Sequence, residues 1–284
     1  MRSIISTNVT DDSRMLLLGA NGRLGRMLMR HWPIHGQIKG QSRHEIDGLL
    51  RFDPLSSPND LIAASLDVQA VICLSGITPA HAAVSGNAMS LNKDIALAVI
   101  EAVPAATRVF VASSAAVYGA ADGPHFESAA VSPISEYGHA KLEMEQAALA
   151  QGGGRVCVLR IGNVAGADAI LGGWRTGMGL DVLPDGRTPR RSYIGPQSLA
   201  KVIHALSVAP TVPDILNIAA PGVVEMGGLL DAADLDWAAR TPDANVIEEV
   251  ALDTSRLEAF YQFDRDECTP QGMVAQWNMN RKPR

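Results

Sequence analysis

Several features that mark particular classes of protein are missing from this sequence. It has only three cysteines, Cys73, Cys157 and Cys268, which are too far apart to form a CxxC or Cys/His cluster. The sequence therefore indicates neither a disulfide framework nor a metal site, and it favours a reducing, cytoplasmic compartment. A net charge of -6 argues against a nucleic-acid partner. No apolar run is long enough to span a membrane, so we expect a small-molecule ligand.

The remaining composition is that of a globular protein, with 47% hydrophobic residues in a chain of 284. We interpret residues 1–13 as a leader without the apolar core of a signal peptide. We assign residues 14–162 to a dinucleotide-binding region that also carries the catalytic residues. We assign residues 163–284 to the remaining sheet elements and a small substrate-binding lobe. Because no linker separates the two regions, we expect them to pack as one body.

Apolar runs and helical patterns alternate along the first region. We predict buried strands at 15–18, 38–42, 50–53, 70–74, 108–112 and 156–161. We predict helices at 23–30, 88–103 and 137–150. Repeated strand–helix–strand units imply an α/β fold with a doubly wound parallel sheet of the Rossmann type.

A glycine-rich turn follows the first predicted strand and has the spacing GxxGxxG. Glycines in such a turn allow the backbone to approach a pyrophosphate, which then lies at the helix N-terminus. The predicted cofactor-binding residues of this turn are Gly19, Asn21, Gly22, Arg23, Leu24 and Gly25. A tight turn without a ligand would explain the glycines equally simply, but its position after a buried strand favours the cofactor.

The end of the second strand indicates which dinucleotide binds. An acidic residue there suits the ribose of NAD, whereas an arginine suits the 2′-phosphate of NADP. The sequence has Ser42 and Arg43 at this place, which favours NADP, although NAD is possible and Arg43 could be a surface charge. Asp53 could accept a hydrogen bond from adenine or be a loop residue. Leu74, Ser75 and Gly76 could either lie beside the cofactor or form an ordinary turn.

A tyrosine and a lysine four residues apart form the candidate reactive pair. Tyr137 and Lys141 would lie on one face of a helix, where the ammonium is expected to lower the pKa of the phenol. Tyr137 could then exchange a proton while the cofactor moves a hydride, and Lys141 would also hold the nicotinamide ribose. Ser113 and Ser114 end an upstream strand, where ligands bind in parallel sheets, and a serine hydroxyl there could share the substrate oxygen. A surface Tyr–Lys pair is the alternative.

The motifs occur together in an order that resembles the extended short-chain dehydrogenase/reductase family of NAD(P)-dependent epimerases, dehydratases and reductases. They are GANGRLG at 19–25, SSAAVYG at 113–119, YGHAK at 137–141, LRIGNVAG at 159–166 and RRSYIGPQSLA at 190–200. The resemblance implies that Ser114, Tyr137 and Lys141 are catalytic. It also implies that Asn163 contacts substrate and that Arg191 meets a diphosphate, although Arg191 could equally be a surface charge.

The sequence departs from the family pattern at two places. Ala115 and Ala116 stand where family dehydratases carry an acidic pair, and alanine cannot transfer the proton that elimination of water requires. After Arg191 the family usually has an aspartate, an aromatic residue and then an acidic residue before a helix, whereas this sequence has Ser192, Tyr193 and then Pro196-Gln197-Ser198. The C-terminal lobe is also short, which weakens the case for a large nucleotide-sugar substrate.

Three functions are consistent with these residues. The first is an epimerase or carbonyl reductase that acts on a sugar nucleotide or related sugar. The second is a reductase of a non-sugar carbonyl compound. The third is a non-catalytic dinucleotide-binding sensor, which is less favoured because both Tyr137 and Lys141 are present. The resemblance also implies a homodimer through the helices at 88–103 and 137–150, whose residues Ile95, Val99, Leu142 and Ala148 could instead face the protein's own sheet.

Overall fold

The computed structural model describes residues 14–121, 123–243 and 246–279. The predicted leader, residues 1–13, lies outside the described residues. The strands, in chain order, are β1 (Met15–Leu18), β2 (Ile38–Ser42), β3 (Leu50–Arg51), β4 (Ala70–Cys73), β5 (Arg108–Ser114), β6 (Val156–Ile161), β7 (Asn163–Val164), β8 (Gly179–Asp181), β9 (Arg190–Arg191), β10 (Tyr193–Ile194), β11 (Ile215–Ile218), β12 (Val224–Glu225), β13 (Ala238–Arg240) and β14 (Glu249–Val250).

Eight helices accompany the strands in the described residues, and several of them begin at local sequence signals. They are α1 (Arg23–His31), α2 (Pro58–Ser65), α3 (Pro79–Ser85), α4 (Leu91–Ala102), α5 (Glu136–Gly152), α6 (Pro196–Val208), α7 (Met226–Ala232) and α8 (Pro270–Asn278). Four of them start with proline, whose missing N–H group is not needed in a first turn. The hydroxyl of Ser135 caps α5 by accepting a hydrogen bond from the Gly138 N–H group at 3.1 Å.

Seven parallel strands form the central sheet in the order β11-β6-β5-β4-β1-β2-β3. The strand order changes direction between β1 and β4, as it does in a doubly wound sheet. This confirms the predicted α/β Rossmann-type class. Strand β11 belongs to the second predicted region and completes the sheet beside β6.

The predicted elements differ from the observed ones in number and in extent. The predictions at 15–18, 38–42 and 156–161 match β1, β2 and β6, whereas β5 continues two residues further, to Ser114. Helices α2, α3, α6, α7 and α8 were not predicted. In α2 only Leu61 and Ser65 are buried, and α3 has no buried residue. Such short helices lack the apolar periodicity from which a helix is recognised.

Helices cover both faces of the sheet. Met15 and Leu17 of β1 pack in a core cluster with side chains of α1 and α6. Leu16 and Leu18 point to the opposite face and pack with side chains of α2, α4 and α5. This alternation follows from the pleat of a strand, and burial on both faces explains the continuous apolar run.

The faces of α4 and α5 that were considered for a dimer interface pack in part against the protein's own core. Val99 of α4 and Ala148 of α5 have no exposed surface and belong to the cluster under the sheet. The suggestion that these two residues lie at a dimer interface is therefore wrong. Ile95 and Leu142 are partly buried and also pack against core clusters of this chain.

A separate apolar cluster stabilises the C-terminal lobe. It unites the loop after β7, strands β8, β10 and β12, and helices α7 and α8, through Ala165, Leu180, Tyr193, Val224, Leu229 and Met273 among others. The first core cluster also contains side chains from both predicted regions, such as Leu28 and Leu199. Among the described residues, no helix combines the length and apolar character that crossing a bilayer requires.

Candidate active site

The glycine-rich turn lies at the carboxyl edge of the sheet, beside the loop that follows β4. Gly19 has φ +79°, and a β-carbon there would lie 2.9 Å from the Ser75 nitrogen. A β-carbon on Gly25 would lie 2.2 Å from the Gly19 carbonyl oxygen. The two glycines therefore allow the turn to pack against the β4 loop and against helix α1. This leaves a close-fitting backbone cradle at the α1 N-terminus, which fits the pyrophosphate of a dinucleotide.

Gln41 at the end of β2 holds this cradle in place and was missed from the sequence. Its side-chain oxygen accepts a hydrogen bond from the Gly19 N–H group at 3.0 Å, and its amide donates to the Phe52 carbonyl. Gln41 is almost completely buried. A buried side-chain amide needs hydrogen-bond partners for both its oxygen and its nitrogen. A glutamine at the end of a predicted strand was therefore the signal that could have identified Gln41.

The residues predicted to choose the cofactor lie beside Gln41. Arg43 is about half exposed, and its guanidinium is 4.0 Å from the Asp53 carboxylate. The Asp53 carboxylate also accepts a hydrogen bond from the Leu55 N–H group at 2.8 Å. Ser42 is buried, and its hydroxyl accepts from the His44 N–H group at 3.1 Å. Arg43 is thus the accessible cation at this strand end.

The reactive tyrosine and serine meet at the ends of α5 and β5. The Ser114 side chain lies close enough to the Tyr137 phenol to act on its pKa through hydrogen bonding. The Ser114 hydroxyl also accepts a hydrogen bond from the Ala116 N–H group at 3.2 Å. The capped first turn of α5 and the end of a sheet strand are both rigid elements. They hold the two hydroxyl groups in the pairing that the sequence predicted.

Burial decides the protonation of Tyr137. It raises the pKa of the phenol, and the hydrogen bond from Ser114 opposes this only in part. The expectation that Lys141 lowers this pKa is wrong for this structure. The Lys141 ammonium lies 5.7 Å from the centre of the Tyr137 ring and donates instead to the Ala112 carbonyl at 2.8 Å. Tyr137 is therefore held as a neutral phenol at neutral pH.

Lys141 is completely enclosed beneath the site. Burial lowers its pKa to about 8, while Cys73 and Glu145 act in the opposite direction. A β-carbon on Gly76 would lie 3.5 Å from Lys141 Nζ. Lys141 therefore lies next to the β4 loop, where Leu74, Ser75 and Gly76 are half-buried.

Asn92 of α4 is a second residue that the sequence analysis missed. Its side chain is buried and binds both backbone groups of Ile77, with the Ile77 N–H donating at 3.1 Å and the Ile77 carbonyl accepting at 3.0 Å. It also donates to the Met89 carbonyl at 2.9 Å. Asn92 thereby fixes the loop that carries Gly76. A polar residue at a buried position of an otherwise apolar helix was the available signal.

Ser113 points away from the site, in contrast to Ser114. Adjacent strand residues face opposite sides of a sheet, and the Ser113 hydroxyl donates to the Glu145 carboxylate in the interior. Ser113 is almost completely buried. The prediction that Ser113 contacts substrate is corrected by this geometry, which gives Ser113 a structural contact.

The two remaining predicted substrate residues lie in the C-terminal half. Asn163 is half-buried, and its side chain is hydrogen-bonded to Tyr193. The guanidinium of Arg191 donates to the backbone carbonyls of Arg190 at 2.7 Å and Ile247 at 2.8 Å. Arg191 is thus neither a free surface charge nor directed into the pair formed by Ser114 and Tyr137.

These features define a dinucleotide-dependent α/β enzyme whose polar centre is a serine, a tyrosine and a lysine. Residues 15–218 match the model of the NAD dependent epimerase/dehydratase family, and the chain belongs to that family. This confirms the resemblance to the extended short-chain dehydrogenase/reductase type and the prediction of an NAD(P)-dependent enzyme. No curated protein gives a significant sequence match.

Solved structures share the fold over nearly their whole length. TunA, described as an NAD-dependent NDP-hexosamine 5,6-dehydratase involved in tunicamycin biosynthesis, is 20% identical with a TM-score of 0.74, covering 95% of this chain and 99% of that chain. UDP-N-acetylglucosamine 4-epimerase from Methanobrevibacter ruminantium M1, in complex with UDP-N-acetylmuramic acid, is 18% identical with a TM-score of 0.72, covering 95% and 99%. RMD from Pseudomonas aeruginosa, complexed with NADPH, is 17% identical with a TM-score of 0.72, covering 94% and 100%. At these identities the likeness shows the fold alone.

Proposed function

We propose that the protein is an NAD(P)-dependent epimerase or carbonyl reductase that acts at a carbinol or keto carbon of a sugar nucleotide or related sugar. The observation that carries this proposal is the close approach of the Ser114 side chain to the Tyr137 phenol, beside the enclosed Lys141. The nicotinamide dinucleotide supplies the hydride or accepts it when bound. The glycine turn at 19–25 would hold its pyrophosphate, and Lys141 would hold the nicotinamide ribose.

Tyr137 is the acid/base in this proposal. The phenol carries its proton at neutral pH, burial raises its pKa further, and it can donate the proton to the oxygen of a substrate carbonyl. Ser114 shares that oxygen and keeps it within reach of the phenol. Removal of a proton from a carbinol would require the reverse transfer, from the carbinol oxygen to the Tyr137 phenolate.

NADP is the proposed cofactor, with NAD as the alternative. Arg43 supports NADP because its guanidinium is accessible at the end of β2, where a 2′-phosphate is recognised in this fold. Asp53 is close enough to balance the charge of Arg43 when no phosphate is present. Arg43 would exchange this weak pairing for charge-assisted hydrogen bonds to the phosphate.

A reductase of a non-sugar carbonyl compound is the second candidate. It is favoured by Arg191, whose guanidinium binds backbone carbonyls of the 247–248 segment rather than projecting toward the reactive pair. A diphosphate would have to displace those contacts. A sensor without turnover is disfavoured by the assembled Ser114–Tyr137 pair. A cytoplasmic location and a homodimer remain proposals, the dimer resting on Ile95 and Leu142 alone.

The proposal is tested by offering sugar nucleotides, free sugars and simple ketones together with NADPH or NADH. Net reduction is followed by nicotinamide absorbance, and epimer formation is followed by chromatography. Tyr137→Phe should lower turnover about 100- to 10,000-fold, because it removes the proton donor while retaining the ring. Tyr261→Phe is the matched control, since the Tyr261 hydroxyl binds Glu267 in the C-terminal lobe.

The outcomes separate the candidates. Turnover of a sugar nucleotide or sugar that is lost in Tyr137→Phe supports the first function. Turnover of simple ketones alone supports the second. Unchanged turnover in Tyr137→Phe would remove Tyr137 from the mechanism, and binding of a dinucleotide without any turnover would point to the sensor.

A further inference from the structure

The first turn of α1 carries an unusual charge for its position. Arg23 is the first residue of the helix and Arg26 follows three residues later, while the first turn contains no acidic residue. Gly22 precedes the helix and provides no side-chain cap. The N-terminus of a helix is already partly positive, so cations there are unfavourable unless an anion is also present. The charge pattern fits an anionic ligand at this helix end.

Arg23 is distinguished from Arg26 by the direction of its side chain. Arg26 bends back and donates to the Asn21 carbonyl of the same turn. Arg23 extends away from the turn and donates from Nη1 to the Ala167 carbonyl at 2.8 Å, across 144 positions of sequence. Within the described parts of the chain, no carboxylate pairs with Arg23. Its guanidinium thus joins the glycine turn to the loop that follows β7.

The loop that receives Arg23 is held firmly. The Ala167 N–H group donates to the Val164 carbonyl at 2.9 Å. The neighbouring Asp168 carboxylate accepts hydrogen bonds from the N–H groups of Leu171 and Gly172, both at 3.1 Å. It also accepts one from the Tyr193 hydroxyl at 2.8 Å. Ala167 is therefore a fixed point in the C-terminal half.

We propose that Arg23 is a latch that retains the dinucleotide by reaching over its pyrophosphate between the glycine turn and Ala167. This inference rests on the proposed function, since it requires that a dinucleotide binds at the turn. A pyrophosphate oxygen is a stronger acceptor for guanidinium than a neutral carbonyl, and Arg23 can offer it further N–H groups while Nη1 keeps Ala167. Release then requires the exposed arginine to swing away.

Retention of the cofactor affects which reaction is possible. An epimerase has to keep the same dinucleotide through both hydride transfers, whereas a reductase has to exchange it after each turnover. A latch that slows release therefore favours return of the hydride to the same substrate. Tyr137 and Ser114 are compatible with either reaction. Arg23 would favour epimerisation over net reduction by slowing release of the cofactor.

The test is the release rate of NADPH or NADH, measured by stopped-flow loss of nicotinamide fluorescence when excess oxidised dinucleotide is added. In Arg23→Ala we expect release to be about 10-fold faster or more, equivalent to about 1.4 kcal/mol. Affinity for adenosine, which carries no phosphate, should stay unchanged. Arg30→Ala is the matched control, because it removes the same charge from the last turn of the same helix.

The results distinguish failure of the latch from failure of the proposed function. Equal release rates in wild type, Arg23→Ala and Arg30→Ala would overturn the latch while leaving the cofactor site in place. An equal loss of adenosine affinity in Arg23→Ala would also overturn it, because the variant would then have distorted the whole turn. A wild-type protein that binds neither NADPH nor NADH would overturn the proposed function itself.

Discussion

Arg160 of β6 and Glu145 of α5 form a buried ion pair in which the guanidinium contacts both carboxylate oxygens. Nη2 lies 2.8 Å from Oε2, and Nε lies 3.2 Å from each oxygen. Arg160 also donates to the Tyr118 hydroxyl at 3.0 Å. Glu145 lies one helical turn beyond Lys141, so the pair ties α5, which carries Tyr137 and Lys141, to the sheet.

Breaking this pair should destabilise the protein strongly. Glu145→Ala leaves the Arg160 charge buried without its partner, and we expect the free energy of unfolding to fall by about 3–5 kcal/mol. Glu143→Ala on the same helix removes only an exposed pair with Lys93 at 3.6 Å, and should cost at most about 1 kcal/mol. Urea unfolding of both variants measures the difference. Equal losses would show that the buried pair contributes no more than the exposed one.

The two adjacent serines should have separable effects. Ser114→Ala removes the hydroxyl bonded to Tyr137, and we expect turnover to fall about 100-fold with little loss of stability. Ser113→Ala removes the hydrogen bond to the Glu145 carboxylate, and we expect a loss of about 1.5–3 kcal/mol of stability with turnover per folded molecule unchanged. Steady-state kinetics and urea unfolding are needed for each variant. Equal kinetic defects would contradict the opposite directions of the two side chains.

Lys141 should make stability depend on pH in a specific direction. Its pKa is about 8 in the folded protein, against about 10.4 in an unfolded chain. Between these values the unfolded chain binds more protons, so this group makes the folded state more stable as pH rises. Lys141→Met lacks that contribution. The stability of Lys141→Met relative to wild type should therefore be highest below about pH 8 and should fall toward pH 10.

The measurement is urea unfolding of wild type and Lys141→Met at several pH values, compared as a difference so that other titrating groups cancel. A difference that stays constant with pH would mean that the Lys141 pKa is not lowered. If the stability of Lys141→Met relative to wild type instead increased with pH, the pKa of Lys141 would be raised in the folded protein.

Because the glycine turn is closely packed, we expect a side chain introduced there to destabilise the protein. Gly25→Ala would place a β-carbon 2.2 Å from the Gly19 carbonyl oxygen. We expect a loss of about 1–3 kcal/mol of stability together with weaker dinucleotide binding. Gly154→Ala is the control, because a β-carbon there meets no atom within 4 Å. Calorimetry measures dinucleotide binding and urea unfolding measures stability. The prediction would be contradicted if both variants behaved like wild type in these measurements.

Arg43 should control the choice of cofactor. Arg43→Ala removes the accessible cation at the end of β2, and we expect NADPH affinity to fall about 10-fold or more while NADH affinity changes little. Arg51→Ala is a suitable control, because Arg51 is exposed on the neighbouring strand and pairs with Glu45. Calorimetry with both dinucleotides provides the measurement. An NADH preference unaffected by Arg43→Ala would assign the site to NAD.

Much of the fold was predictable because its signals are local. The apolar run of β1, the glycine turn after it and the four-residue spacing of Tyr137 and Lys141 are all read within a few residues. The pairing of Ser114 with Tyr137 could also be expected, because parallel strands present their carboxyl ends at one edge. The contacts of Gln41 with Gly19 and of Asn92 with Ile77 were missed. In each of them a buried side-chain amide joins two separate segments of the chain, so no local pattern reveals it.

The sequence by itself determined the α/β class and the family, and it supplied the candidates for the reactive residues, because periodicity and motif spacing are properties of neighbouring positions. Only the tertiary structure decided that Ser113 faces the interior, that burial rather than Lys141 governs the Tyr137 pKa, and that Arg23 reaches Ala167. Burial and side-chain partners are set by residues far apart in the chain, which meet only when the sheet and the C-terminal lobe pack together.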